Sequence, residues 1–163
     1  MENQKLNYFW GILRLFIGLI FIWAFFDKIF GLGFSTAPNK SWLLGNSPTY
    51  GFLALATKGP FASIYQSMAG NMIVDWIFMI GLLLVGLGLT LGIMANLASI
   101  GGAIMLILMW TAVLPPPHHP FIDDHLIYSI LLIGLIFVHA GRYLGFGKFW
   151  IKYKFVKNHP ILE

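Results

Sequence analysis

The chain lacks cysteine, and only 10% of its 163 residues are charged. Without cysteine it can form no disulfide, no thiolate nucleophile, no iron–sulfur cluster and no Cys-ligated zinc site. Soluble domains carry about 25% charged residues. The scarcity of charge, together with 58% hydrophobic residues and a mean hydropathy of +0.80, excludes an ordinary soluble fold. It indicates a single integral membrane domain over residues 1–163.

Four apolar segments have, or nearly have, the roughly 20 residues that a membrane-spanning helix needs. They occupy about residues 8–28, 73–94, 97–114 and 124–143. We therefore predict an all-α membrane protein, built as a four-transmembrane-helix bundle. The segment 31–72 is too long for a simple turn. Its weakly apolar stretches 50–56 and 61–69 are predicted to be short helices at the membrane interface.

The distribution of lysine and arginine predicts the orientation of the bundle. If both termini share one side, that side holds Lys5, Arg14, Arg142, Lys148, Lys152, Lys154 and Lys157, and the other holds only Lys28, Lys40 and Lys58. The excess of positive charge places both termini in the cytoplasm, with the loop 31–72 outside. The basic tail 145–163 alternates lysine with aromatic residues, which is typical of an anchor on anionic lipid. We predict no binding of nucleic acid.

Small residues recur at four-residue steps in the second and third spans. Gly88 and Gly92 form a GxxxG pattern, and Ala95, Ser99 and Ala103 continue the step. Such rows let helix backbones approach closely in lipid. We predict close packing within the bundle, with contacts between two copies of the chain as the alternative.

Three charged residues of the first span are candidate substrate-binding residues. Arg14 lies inside the span, where a charge is costly and usually faces a partner or a wet cavity. Alternatively, its side chain reaches back to the cytoplasmic interface. Asp27 and Lys28 end the span at the outer face. They form either an ordinary polar helix end or a site where Lys28 points into an outer cavity and attracts an anion.

The connector between the last two spans, PPPHHPFIDDH at residues 115–125, concentrates titratable groups at the membrane boundary. An aspartate at a helix N-terminus caps free N–H groups. We predict this capping role for one of the two aspartates, Asp123 or Asp124. We predict the same role for Asp75 in the second span. The other aspartate and His125 are predicted to handle protons, so Asp123, Asp124 and His125 are the candidate catalytic residues. The histidines lack the spacing of a metal motif, and we predict no metal site.

His139 is the single histidine in the interior of a predicted span, because His125 stands at the very start of the fourth. A haem held by two histidines would need a second one, so we expect no haem within one chain. His139 either forms a hydrogen bond between helices or binds a carbonyl oxygen of a quinone.

Three long strings of the sequence share the pattern of one family. The first span reads RLFIGLIFIWAFFDKIFG, an arginine-led apolar run that ends in a charged pair. The loop and second span read ATKGPFASIYQSMAGN and VDWIFMIGLLLVGLGLTLGI, and the last hairpin reads LPPPHHPFIDDHLIYSILLIGLIFVHAGRYLGFGKFW. Over nearly its whole length the chain resembles the DoxX/DoxD family, small four-span membrane proteins of bacteria and archaea.

The resemblance implies a function. Members are described as the large subunit of a thiosulfate:quinone oxidoreductase, which joins two thiosulfate ions into tetrathionate and reduces a membrane quinone. The chain is therefore expected to be a multi-pass plasma-membrane subunit of a thiosulfate dehydrogenase (quinone) in a bacterium or archaeon. Its expected partner is a second subunit or further copies of itself. A non-catalytic membrane subunit or assembly factor, and a small-molecule or ion carrier, are the alternatives.

In the expected reaction the thiosulfate dianion needs a cation, and Lys28 is the best external candidate. Quinone is the implied cofactor. Its candidate binding residues are Trp23, Trp110 and His139, because a quinone needs an aromatic slot with hydrogen-bond donors. The three candidate catalytic residues would supply the two protons that quinone reduction consumes. Since the chain has no cysteine, a second subunit is expected to hold the sulfur site, and no haem, iron–sulfur or zinc site is expected.

Overall fold

The computed structural model describes the backbone of residues 2–163 and the side chains of residues 4–163. The α-helices are α1 (Glu2–Phe30), α2 (Ala62–Ser67), α3 (Met72–Leu91), α4 (Ala95–Ala112), α5 (Asp124–Phe137), α6 (Gly147–Trp150) and α7 (Lys154–Lys157). Within the described range the chain is 70% helical and has no strand. The predicted all-α class is therefore confirmed.

Three helices, α1, α3 and α4, are long and apolar enough to cross a membrane. The fourth apolar helix, α5, has 14 residues, or about 21 Å of length against roughly 30 Å of bilayer hydrocarbon. The predicted span 124–143 is thus a regular α-helix only as far as Phe137. The chain leaves the helix because His139 adopts a left-handed conformation with φ 49°, and a 3-10 turn over Ala140–Arg142 follows.

Local sequence sets the ends of the long helices. Asn71 caps α3, since its side-chain oxygen accepts the N–H of Ile73 at 2.9 Å, as N-cap residues do. Gly92 closes the same helix with φ 74°, a conformation that glycine adopts without strain. The prolines at 115–117 follow α4 and cannot continue it. Asp123 caps α5.

The long helices pack as antiparallel neighbours. Helix α1 lies on α3, α3 on α4 and α4 on α5, and α5 also touches α1. The buried apolar side chains between them are Ile17, Phe21, Met79, Leu82, Val85, Leu89, Ala103, Leu106, Leu132, Leu135 and Ala140. Because lipid is as apolar as these side chains, dense packing rather than exclusion from water holds such helices together in a bilayer.

Small residues allow this close approach. A Cβ atom at Gly88 would lie 2.7 Å from the Cβ of Ala98, so α3 and α4 nearly touch there. A Cβ at Gly86 would lie 2.6 Å from the side chain of Ile22, so α1 and α3 are equally close. Ser99 and Ala103 are buried in α4. The predicted close packing within the chain is confirmed at these positions, whereas Gly92 forms the turn between two helices.

The helices have two distinct ends. The loop end comprises Phe30, Met72, Ala112 and Asp124 with the loop 31–71 and the connector 113–123. The tail end comprises Leu91, Ala95 and Phe137 with the tail 145–163. In the loop, 3-10 turns cover Pro38–Lys40 and Trp42–Leu44, and a π-helical turn covers Gly51–Ala56. This turn and α2 correspond to the two predicted short helices.

Contacts of the loop with the end of α4 and with the start of the connector hold the loop end together. The backbone N–H of Lys58 donates to the carbonyl of Ala112 at 3.0 Å, and the hydroxyls of Tyr65 and Thr111 lie 2.6 Å apart. Gly59 has φ 75° and packs so closely on the carbonyl of Leu114 that any Cβ would overlap it. The loop therefore lies on the ends of the helices as an ordered layer.

Candidate functional site

The clearest pair of titratable side chains at the loop end is Asp123 and His125. Oδ2 of Asp123 lies 2.7 Å from Nδ1 of His125, while its Oδ1 accepts the backbone N–H of Leu126 at 3.1 Å. One carboxylate therefore caps α5 and holds the imidazole ring. With the carboxylate ionised, Nδ1 carries the proton of this hydrogen bond, so Nε2 is the nitrogen available for proton exchange.

This pair stands at the boundary between protein and solvent. The side chains of His125 and Asp123 are 27% and 15% exposed. They are thus reachable by water or a small molecule, yet fixed in orientation by the helix start. An oriented imidazole with one free nitrogen is the usual arrangement of a general acid or base.

The remaining titratable residues of the connector are more exposed. Asp124, in the first turn of α5, is exposed beside the pair. His118 and His119 are also exposed. Nδ1 of His119 accepts the N–H groups of Phe121 and Ile122 at 3.2 and 3.0 Å, which folds the connector back on itself. Across the part of the chain with described side chains, no group of three His, Asp or Glu residues is arranged to hold a metal ion.

Asp27, a predicted substrate-binding residue, is turned inward. It is 1% exposed, and its carboxylate accepts the backbone N–H of Phe34 at 3.2 Å and both N–H and hydroxyl of Ser35 at 3.0 and 2.7 Å. These bonds fold the start of the loop onto the end of α1. The carboxylate is fully engaged in this turn.

Lys28 differs from its neighbour Asp27. Its Nζ lies 5.8 Å from the centre of the Phe78 ring, a cation–π distance, and its side chain is half-buried. Among residues 4–163 it forms no ion pair with a carboxylate. Its charge at the loop end is therefore available to an anion.

Asp75 is a second buried carboxylate at the loop end. It accepts the hydroxyls of Ser47 and Thr49 at 2.8 and 2.5 Å and is 6% exposed. The predicted capping role of Asp75 is wrong, because Asn71 caps α3. Asp75 instead ties the middle of the loop to the helix. The sequence carries no signal for this contact, since its partners lie 28 and 26 residues earlier in an irregular segment.

Arg14 is the most deeply buried charged side chain near the tail end, with 0% exposure. Its Nε donates to the carbonyl of Ala140 at 3.2 Å. Nη1 donates to the carbonyls of Leu89 and Thr90 at the end of α3, the latter at 3.3 Å. Nη2 donates to the carbonyls of Tyr143 and Leu144 at 2.9 and 2.6 Å. All five N–H donors of a guanidinium are thus occupied.

This geometry gives Arg14 an internal role. It binds carbonyls in the last turn of α3, where a helix leaves oxygen atoms without partners and its dipole is negative, and carbonyls in the turn that follows α5. Arg14 also precedes Lys28 by 14 positions in α1, or about 21 Å. The structure therefore brings Lys28 and Asp27 together at the loop end and Arg14 to the opposite end. The predicted role of Arg14 in substrate binding gains no support.

The predicted quinone-binding residues do not converge. His139 lies in the turn beyond α5, and its Nδ1 is 3.2 Å from Oε2 of Glu163. The carbonyl of Glu163 accepts the N–H of Asn96 at the start of α4. Trp110 lies in the last turn of α4, roughly 20 Å farther along, and donates its indole N–H to the carbonyl of Phe121 at 2.7 Å. His139 and Trp110 therefore belong to opposite ends.

Trp23 lies on an open, apolar face of α1, together with Phe16, Leu19, Ile20 and Ile22. Trp23 is 48% exposed and stands edge-on to Phe34 with ring centres 5.1 Å apart. Its indole N–H has no protein acceptor in the described part of the chain, unlike that of Trp110. This face is apolar, and the indole N–H of Trp23 is one hydrogen-bond donor on it.

Together, the fold and these contacts define an all-helical protein with three helices able to cross a membrane. The Asp123–His125 pair and Lys28 lie at one end of those helices, and Arg14 lies near the other. Comparison with known proteins finds no matching family model, no matching curated protein and no matching solved structure.

Proposed function

We propose that the chain is the membrane subunit of a quinone-linked oxidoreductase that takes electrons from thiosulfate, as its resemblance to the DoxX/DoxD family implies. In this proposal it is a four-helix bundle in the plasma membrane of a bacterium or archaeon, with both termini cytoplasmic and the loop end outside. The observation that carries the proposal is the oriented Asp123–His125 pair at that end.

The short helix α5 is compatible with a fourth crossing. The 3-10 turn over Ala140–Arg142 continues the chain toward the tail end. Arg14 donates to the carbonyls of this irregular stretch. Non-helical backbone at membrane depth is tolerated where its polar groups are satisfied inside the protein. Arg14 satisfies the carbonyls of this stretch by donating hydrogen bonds to them.

The proposed reaction balances in electrons and protons. Two thiosulfate dianions lose two electrons as the S–S bond of tetrathionate forms, and the quinone takes up those electrons with two protons to become a quinol. Because the chain has no cysteine, it cannot hold a covalent sulfur intermediate on a thiolate. The proposal therefore assigns the sulfur site to a second subunit or a further partner.

The chain's own part is proton transfer and attraction of the anion. His125 exchanges protons with outside water through Nε2, while Asp123 holds the ring in position. General acid–base groups contribute about 10²–10⁴ in rate. Exposed Asp124 adds a negative charge beside the pair. Lys28 attracts the dianion to the loop end, and the apolar face of α1 around Trp23 receives the quinone from the lipid.

The experiment measures thiosulfate-dependent reduction of a soluble quinone analogue by the chain in proteoliposomes, alone and together with co-purified native partners. Asp123→Asn is the informative variant, because asparagine caps a helix as well as aspartate does but no longer holds the imidazole by charge. We expect its rate to fall by at least about tenfold. His118→Gln, at an exposed histidine of the same connector, is the matched control and should keep the wild-type rate. No thiosulfate-dependent reduction in either preparation would contradict the proposal.

A second candidate function is a non-catalytic membrane subunit of a larger enzyme. The contacts in the interior favour this candidate, because the buried charged side chains Arg14, Asp27 and Asp75 all bind groups of the same chain. This candidate predicts stable co-purification with a larger complex whose activity is unchanged by Asp123→Asn and by Lys28→Ala. Reduced turnover in both variants would exclude it.

A further inference from the structure

The tail 145–163 presents a concentrated set of basic and aromatic side chains to the surroundings. Its exposed lysines are Lys148, Lys152, Lys154 and Lys157. Its most exposed rings are Phe149, Tyr153 and Phe155, at 65%, 64% and 65%. Half of the eight lysines of the chain therefore lie in this short segment.

The tail is docked rather than free. Val156, in α7, is 1% exposed, and the indole N–H of Trp150 donates to the carbonyl of Leu162 at 2.6 Å. The side chain of Asn96 donates to the carbonyl of Pro160 at 3.1 Å. These contacts hold the backbone against the start of α4, so the lysines and rings project from a fixed surface at the tail end.

Among the side chains of residues 4–163, no carboxylate pairs with the lysines of this surface. Glu163 is the one acidic residue of the tail, and it pairs with Arg142 and His139. Lys154 and Lys157 are three positions apart in α7 and so share a face. Nζ of Lys152 lies 5.4 Å from the centre of the Phe149 ring. The surface therefore combines free positive charge with adjoining apolar rings.

We propose that this tail surface binds the headgroups of anionic phospholipids in the leaflet at the tail end. Lysine ammonium groups attract the phosphates, and aromatic rings settle at headgroup depth beside them. Each lysine near an anionic surface raises the association constant about fivefold. The surface adjoins the ends of helices that cross the bilayer in the proposed function, which favours lipid over a soluble acidic partner. The inference rests on that membrane embedding and not on the redox activity.

The test compares two spin-labelled lipids in phosphatidylcholine bilayers that contain the full chain. Electron paramagnetic resonance gives the fraction of phosphatidylglycerol and of phosphatidylcholine that is immobilised by the protein, and their ratio is the preference for anionic lipid. We expect a severalfold preference in the wild type, a clear decrease in K154Q/K157Q and a ratio near one when all four tail lysines are glutamine. High salt should weaken the preference, because screening shortens the range of the attraction.

The matched control is K40Q/K58Q, which removes two exposed lysines at the loop end and should keep the wild-type preference. Replacing all four tail lysines by arginine should also keep the preference for anionic lipid. Unchanged thermal unfolding of the glutamine variants excludes misfolding. A preference that is absent, or that persists without the tail lysines, overturns the inference alone. If neither lipid is immobilised, the embedding fails and the proposed function fails with it.

Discussion

Arg14, near the tail end, differs from two charged or titratable side chains at the loop end, Lys28 and His125, in what its charge contacts. Near the tail end, Arg14 is fully buried and gives all its donors to backbone carbonyls. At the loop end, Lys28 and His125 are only partly covered, and Nε2 of His125 remains open to exchange. This contrast indicates that the charge of Arg14 holds the helices together, whereas Lys28 and His125 can meet a substrate.

The largest effect on stability is expected from Arg14→Leu. The change leaves carbonyls of α3 and of the turn after α5 without partners in a dry interior, so the free energy of unfolding should fall by roughly 3–5 kcal/mol. Arg14→Lys should be intermediate, because lysine keeps the charge but not the planar set of donors. The measurement is chemical unfolding of the detergent-solubilised protein.

Lys28→Leu, in the same helix but at the loop end, is the control for Arg14. Since it removes a cation–π contact, it should cost about 1 kcal/mol or less. Equal decreases in the free energy of unfolding for Arg14→Leu and Lys28→Leu would show that the two side chains do not differ in their contribution to stability.

A smaller effect is expected from Asp75→Ala, which leaves the hydroxyls of Ser47 and Thr49 without their acceptor. The cost should be about 1–3 kcal/mol and should be local, because Asp75 ties the loop rather than the helices. Hydrogen exchange should quicken in the loop 31–71 and stay unchanged in α4. Asp124→Ala removes an exposed carboxylate and should leave that exchange as in the wild type. Uniform acceleration over all helices would show that Asp75 supports the whole fold.

The smallest expected effect is a difference in the free energy of unfolding between alanine substitutions at two glycines with the same backbone conformation. Gly92 at the tail end has φ 74°, and Gly45 in the loop has φ 82°. Alanine at either position meets the left-handed strain of about 1–2 kcal/mol. At Gly92 the new Cβ would also lie 2.8 Å from the carbonyl oxygen of Gly141, whereas at Gly45 it meets open space.

We therefore expect Gly92→Ala to lower the free energy of unfolding by an additional 1 kcal/mol or so relative to Gly45→Ala, as overpacking does. Thermal unfolding of the two variants side by side gives this difference. If Gly45→Ala is the more damaging, the close approach of Gly141 does not add to the strain at Gly92.

Local patterns in the sequence predicted much of the fold. The apolar runs predicted α3 and α4 to within a few residues, because Asn71, Gly92 and the prolines at 115–117 mark their ends with local chemistry. The end of α5 at Phe137 was not predictable in this way. No proline or charge stands there, and the turn that follows is stabilised by Arg14, more than a hundred residues away in the chain.

The candidate site shows the same distinction between contacts that are local in the sequence and contacts that are not. Asp123 and His125 are two residues apart at a helix start, so the sequence predicted both at one site, but it did not predict that the capping aspartate also holds the imidazole. The partners of Arg14 are backbone carbonyls, which have no sequence signature, and the partners of Asp75 are hydroxyls in an irregular loop. His139 was expected inside a helix, but it lies in a turn beside Glu163, a contact made by a remote part of the chain.

The most direct test replaces one histidine at each end and measures thiosulfate-dependent quinone reduction in proteoliposomes that contain the chain with its co-purified native partners. His125→Gln removes the nitrogen that exchanges protons at the loop end, and His139→Gln removes a half-exposed ring at the tail end. We predict that His125→Gln lowers the rate by at least about tenfold while His139→Gln leaves it unchanged. Equal rates for the two variants, or a loss confined to His139→Gln, would contradict the assignment of the chemistry to the loop end.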